Sequence, residues 1–256
     1  FAGSGALLAW ELRAGGYLTS AQQEILRAEY EQRYRRFARL PQPRITQVDL
    51  QADIRPETRN LAVKGFYQLE NRSGTPLRDI VLYQQRGAEL AVRFSQAARL
   101  VTADPERGFY LYRLLDPLAP GARMALEFGL RYQPGGLLGL GRDTPVVGNG
   151  TFFTNEVMPR IGYQPSVELA DDRDRKRRGL PPKDLLPARE DPAARTNNLL
   201  GVDADWIGFN AVVSTSPDQI AIAPGTLQKE WMDGGRRYFH YRMDKPILNF
   251  YAIQSA

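Results

Sequence analysis

The stretch "VDLQADIRPETRNLAVKGFYQLENRSGTPL", residues 48–77, decides the fold. Val48, Leu50, Ala52 and Ile54 alternate with polar neighbours, and after a turn at "RPETRN" the alternation resumes at Leu61, Val63, Gly65, Tyr67 and Leu69. A period of two puts one set of side chains on a single face of an extended strand, whereas a helix would need apolar positions every three or four residues. "ENRSGTPL" makes the next turn, so the stretch predicts a β-meander. Outward from it, strands are expected at "DIVLYQ", "AVRFS", "FYLYRLL" and "RMALEFGLRYQ". The last of these carries Met124, Leu126, Phe128, Leu130 and Tyr132 on one face. β-Structure resumes at "DWIGFNAVVSTS", at "IAIAPGTLQKEWMDGGRRYFHYRM" with "DGG" as hairpin turn, and at "ILNFYAI". Many short strands punctuated by Gly and Pro predict a mainly β protein, a sandwich or curved-sheet architecture of mostly antiparallel strands.

The N-terminal part differs. In "LTSAQQEILRAEYEQRYRRFARLPQP", residues 18–43, Ser20 and Gln23 have capping-box spacing and predict a helix over about 20–39. Ile25, Leu26, Tyr30, Tyr34 and Phe37 form one stripe, Arg33, Arg35, Arg36 and Arg39 load the last turns, and Pro41 and Pro43 end it. Two readings stand: a stalk or partner-facing connector, or a helix packed on its own domain. Residues 1–42 are accordingly read as an N-terminal segment and 43–256 as the β-domain, with long loops at 133–165 and 168–200. The chain starts at Phe1, and "FAGSGALLAW" is far short of the roughly 20 apolar residues of a membrane helix, which suggests an excised piece.

Composition removes several chemistries. The 34 Lys and Arg against 29 Asp and Glu leave +5, dispersed along the chain, which argues against a nucleic-acid partner. There is no cysteine, so disulfides, thiolate zinc sites and cysteine nucleophiles are excluded. A catalytic zinc normally takes three protein ligands, mostly imidazoles or thiolates, and the sequence holds one histidine, His240. In "YFHYRM", Tyr238, His240 and Arg242 alternate with Phe239, Tyr241 and Met243, so His240 is expected on the polar side of a strand and not in a triad. No catalytic and no metal-binding residue is therefore assigned. The sequence pairs Asp203 with Asp205 and Asp171 with Asp172 are explained by capping and turn formation. The Gly-rich segment at 133–165 lacks a phosphate-loop Lys and strand-to-helix context; its glycines instead suit close backbone approach at a seam. Residues 168–195 mix both charge signs with prolines, and a solvated excursion is expected, with a clamp onto a neighbouring domain as the alternative.

Several motifs resemble a known family. "LPQPRITQVDLQADIRPETRNLAVKGFYQLENRSGTPL" (40–77) resembles the opening of the N-terminal β-domain of the aminopeptidase N family of zinc metallopeptidases. "YFHYRMDKPILNFYAI" (238–253) resembles its last strands. "VVGNGTFFTNEVMPRIGYQPSVEL" (146–169) and "DPAARTNNLLGVDADWIGFNAVVST" (191–215) are similar to a bacterial branch in which this module is fused to an ABC transporter permease. The resemblance spans roughly residues 30–256.

It implies a saddle of β-sheets that leans on a following catalytic domain, where the zinc and its HExxH helix lie, so that this chain alone is expected to be no enzyme and to bind no cofactor. The implied partners are that catalytic domain, preceding membrane helices and a peptide substrate. The implied location is the extracytoplasmic side of the bacterial inner membrane. In the family a Gln or Glu of this domain grips the substrate's α-amino group; here "GNGTFFTNEVMP" is the corresponding segment and Asn149, Asn155 and Glu156 are the candidates. The Phe-Pro pair of the family motif is Met158-Pro159 in this sequence. The same residues also suit plain turn formation. The alternative function is an extracytoplasmic β-sandwich module that binds protein or carbohydrate. Trp10, Trp206 and Trp231 do not cluster in sequence, and Trp206, in an alternating strand, is expected in the core.

Overall fold

The computed structural model describes residues 17–135, 144–183, 190, 201 and 203–256. The meander forms as the alternation requires. Strands β1 (Arg44–Arg55) and β2 (Asn60–Glu70) pair antiparallel, and β2 pairs with β7 (Arg123–Tyr132), which pairs with β4 (Ala88–Phe94). On the other edge of β1 lies β10 (Trp206–Thr215), in parallel register from Gln47 with Gly208 to Asp53 with Ser214. β10 then carries the hairpin β13 (Arg236–Arg242) and β12 (Thr226–Asp233). The hairpin turns at Gly234 and Gly235, both at positive φ, the backbone that a type I′ turn needs. The result is an eight-stranded sheet in the order β12-β13-β10-β1-β2-β7-β4, with β14 (Ile247–Leu248) paired to β10.

Two small sheets close over one face of this large sheet. One has the order β5-β6-β3-β9, built from Ala98–Asp104, Phe109–Leu118, Leu77–Tyr83 and Arg160–Ile161. The other has the order β11-β15-β8, built from Ala221–Ile222, Ala252–Ser255 and Thr151–Thr154. The main core lies between them and the large sheet: Val48, Leu50, Leu61, Val63, Leu126 and Leu130 meet Ile80, Leu82, Phe153 and Ile253. In β3 the run Ile80, Val81, Leu82 is buried without alternation, because Ile80 and Leu82 face that core while Val81 faces a second one.

The second core belongs to the N-terminal helix, α1 (Ser20–Tyr34), continued by a 3₁₀ turn over Arg35–Phe37. Its N-cap is Thr19, with Gln22 completing the capping box, one residue before the Ser20 and Gln23 pair that the spacing predicts. Both pairs carry a hydroxyl and an amide three residues apart, and the chain uses the earlier one. Tyr30 stacks on Tyr163 with centroids 4.9 Å apart, and Tyr34 stacks on Phe109 at 3.8 Å. The predicted stripe is thus half right: Tyr30 and Tyr34 are buried, whereas Ile25 is exposed. The helix packs on its own β-domain.

What fastens it is the stretch expected to be a solvated excursion. Residues 172–177 form a short helix, α2 (Asp172–Arg177), capped by Asp171, and its Arg175 is fully buried. The guanidinium grips both carboxylate oxygens of Glu31 at 2.8 Å and also donates to the carbonyls of Leu169 and Pro181. Arg177 and Arg178 bind Glu24. The charges are thus partnered across the fold and not merely solvated. Removing one member of such a pair strands the other in the interior. Glu31→Ala should therefore cost about 3–5 kcal/mol in urea unfolding, whereas Glu31→Leu combined with Arg175→Met should recover most of that loss. A loss below about 1 kcal/mol for the single variant would mean that the pair is not buried in solution.

Candidate functional site

The segment 151–161 runs along one end of the molecule, and its position is set by hydrogen bonds from distant parts of the chain. β8 pairs with β15 from Thr151 with Ser255 to Thr154 with Ala252. Thr154 then caps a 3₁₀ turn, Asn155–Val157, by accepting the Glu156 N–H. The Asn155 N–H donates to the Tyr251 carbonyl at 2.9 Å, and its Nδ2 donates to the Asn249 carbonyl at 2.8 Å. Asn249 in turn donates through its own Nδ2 to the Asp203 carbonyl at 3.0 Å.

Of the three candidates, Asn155 and Glu156 sit together at the C-terminal end of β8. Asn149 lies exposed in a turn beyond the other end of that strand. Asn155 is 9% exposed, and its Oδ1 is buried with no hydrogen-bond partner among the described residues. Its donors hold the scaffold and its acceptor is open. Glu156 is solvent-facing, 3.9 Å from Arg160. A buried amide oxygen next to an exposed carboxylate is a donor-seeking corner, suited to a cationic amine or an N–H of another chain segment.

Residues around this corner have no site role in the sequence reading, in which Asp203 stands only as a capping or turn residue. Asp203 is buried at 6% exposure, with Oδ2 accepting the Ile161 N–H at 3.3 Å. Burial raises its pKa above the usual carboxylate value, with Arg160 and the N–H groups pulling the other way. Gln84 is buried and donates to the Tyr132 hydroxyl and the Val157 carbonyl, bracing the turn from below. A sequence signal for these polar groups would have required knowing their partners, none of which is local.

The three-stranded sheet beside the corner is largely apolar on both faces. Phe153, Ile253 and Ala221 point into the core. The opposite face sets Ile222, Gln254 and Phe152 in one row across the sheet, with Ile220 and Phe250 beside it. Phe152, Ile222, Phe250 and Ile220 are 59, 53, 55 and 51% exposed. Two polar side chains, Gln254 and Thr154, interrupt this strip. An exposed, mostly apolar strip of this kind is a candidate contact surface.

His240 lies on β13, half-buried, with Nε2 2.7 Å from Asn210 Oδ1 on β10, as the strand reading expects. Among the described residues no group of three or more His, Asp or Glu could hold a metal ion. None of the described helices is long and apolar enough to cross a membrane. Trp206 is 63% exposed, contrary to the expectation of core packing: the alternation of β10 turns Ile207 and Phe209 inward and Trp206 out. Trp231 is half-buried, stacked on Tyr238 at 5.1 Å, and Trp10 lies outside the described residues.

No family model matches the sequence, and no curated protein matches it significantly. Solved structures do match the fold. An M1 zinc metallopeptidase variant from Deinococcus radiodurans, bound to a Tyr-Ser-Ala substrate, superposes with a TM-score of 0.52 at 16% identity, over 85% of this chain and 43% of its own. A two-domain M1 zinc metallopeptidase variant bound to L-arginine gives 0.51 at 17% identity, over 83% and 42%. The fold resembles that of the N-terminal domain of M1 aminopeptidases. This chain spans less than half the length of those peptidases.

The raised Asp203 pKa has a testable consequence. The folded state holds that proton more tightly than the unfolded chain, so stability from Asp203 is fully present below the unfolded value near 4 and is lost as pH rises through the folded value. Asp203→Asn does not titrate and should gain on the wild type as pH rises above about 4, measured by urea unfolding at each pH. A difference that stays flat with pH, or that falls as pH rises, would contradict the assignment.

Proposed function

We propose that this chain is the non-catalytic N-terminal β-domain of an aminopeptidase-like protein, and that it packs on and lines the cleft of a zinc peptidase domain outside this sequence. The observation that carries the reading is the second apolar face of the β11-β15-β8 sheet, next to the open Oδ1 of Asn155. A sheet with apolar side chains on both faces is built to be covered on both. The fold likeness to peptidases of more than twice this length supplies the kind of domain that would cover it. In this reading the zinc belongs to the covering domain, peptide reaches the seam, and Asn155 with Glu156 faces the substrate's amino end. Placement outside the bacterial inner membrane, with membrane helices before the domain and an ABC transporter permease in the same polypeptide, rests on the motif resemblance at residues 146–169 and 191–215.

The alternative, a β-sandwich module binding carbohydrate or protein, has less support. Trp231 spends one ring face on Tyr238 and has Lys229 at 5.1 Å from its ring, and the exposed Trp206 has no aromatic ring stacked beside it among the described residues, so no row of flat aromatic faces is assembled for a sugar.

The test is association in solution. The peptidase-like segment of the parent polypeptide, produced separately, should bind this chain, and Phe152→Asp should weaken binding at least about tenfold by calorimetry. Because Phe152 is exposed, the variant should melt within about 3 °C of the wild type. No association, or undiminished binding by the Asp variant, would count against the reading.

A further inference from the structure

Arg160 is the least satisfied buried charge near the seam. It is 8% exposed, yet its nearest carboxylate oxygen, on Glu156, is 3.9 Å away, and its hydrogen bond to Ser166 Oγ is long, at 3.4 Å. Asp203 makes no direct ion pair with it among the described residues, its Oδ2 being turned to the Ile161 N–H, although the Arg160 charge acts on that carboxylate. Arg175, which is fully buried, shows what a completed arrangement looks like, with a bidentate carboxylate and two carbonyls. A guanidinium so loosely paired keeps donors for a ligand that enters the cavity beside it.

The groups around it have spare capacity of the same sign. Arg160 opens on a cavity of about 800 Å³ between α1 and the β3–β9 edge. Tyr83 is its register partner across that pair, so the two side chains share a face. The Tyr83 hydroxyl has no hydrogen-bond partner among the described residues, and burial raises its pKa, so it remains a donor at neutral pH. Arg27, on α1, is also without a partner among the described residues, and its charge, like that of Arg160, bears on that hydroxyl. Arg107 lines the same cavity but is neutralised by Glu29 and Asp104. The carboxylates present, Glu156 and Glu106, are 62 and 67% exposed and keep their own water.

We infer that this cavity is a binding site for a small oxyanion, held by the Arg160 guanidinium, the Tyr83 hydroxyl and Arg27. The fork of an arginine matches two oxygens of a carboxylate or a phosphate, and a phenol adds a third donor. The site stands on these three side chains and does not depend on a peptidase domain.

The experiment titrates the chain with sodium phosphate and, separately, with sodium succinate by calorimetry at low ionic strength, with sodium chloride as reference. Saturable one-to-one binding of either is expected, and the tighter of the two identifies the source as phosphate or carboxylate. Arg27→Gln and Tyr83→Phe should each weaken it about tenfold. Arg160→Gln should abolish it; because that residue is buried, the other two variants carry the test should it fail to fold. Lys64→Gln, on the open face of the large sheet, should leave the affinity unchanged. No saturable binding beyond the chloride reference, or binding indifferent to Arg27→Gln and Tyr83→Phe, would overturn the assignment.

Discussion

The parallel pairing of β1 with β10 is the constraint on which the rest of the molecule depends. Among the described residues every other pairing in its three sheets is antiparallel. This one joins stretches more than 150 residues apart, as the Ser214 hydroxyl bond to Asp53 illustrates. It seats the β10-β13-β12 edge on the meander and gives the large sheet a face wide enough to need two smaller sheets to cover it. The register also places the residues just before β10, through which the corner is fastened. Asp203 and Asp205 accept from Asn249, and Asn249 with Tyr251 accepts from Asn155. A strand slip of one residue would turn Phe209, Ala211 and Val213 out of the core and carry the 203–205 segment with it.

Against that frame the corner can leave some polar capacity unused. Asn155 is fixed by two backbone contacts and still presents an oxygen; Arg160 is fixed by its strand and still presents most of its donors. Such arrangements cost stability unless something completes them. The apolar outer strip of the three-stranded sheet lies beside them. Unfilled polar groups and uncovered apolar surface at one end of a well-packed body are what a contact site looks like before its partner is present.

Much of the fold was legible because period-two patterns are local. The β1–β2 meander, β7 and the hairpin at Gly234 and Gly235 lie where alternation and turn chemistry put them. The helix cap was displaced by one residue because Thr19 with Gln22 and Ser20 with Gln23 offer the same chemistry at the same spacing. Trp206 was misplaced because alternation assigns a residue to a face without saying which face is covered. The charged stretch was misread because the partner of Arg175 is 144 residues away. Of the site, the segment was legible and the residues only partly so. Asn155 and Glu156 stand out in the motif, whereas Arg160, Tyr83 and Asp203 acquire meaning only through long-range contacts.

The absence of cysteine makes the central pairing directly measurable. Gln51 and Val212 face each other across β1 and β10, and neighbouring strands stand about 4.8 Å apart, within disulfide reach. With Gln51→Cys and Val212→Cys introduced together, mild oxidation should close a quantitative intramolecular disulfide in the folded protein. If the pair stays reduced while Gln51→Cys with Asn210→Cys closes instead, the two strands do not meet in parallel at this register and the account of the corner falls with it.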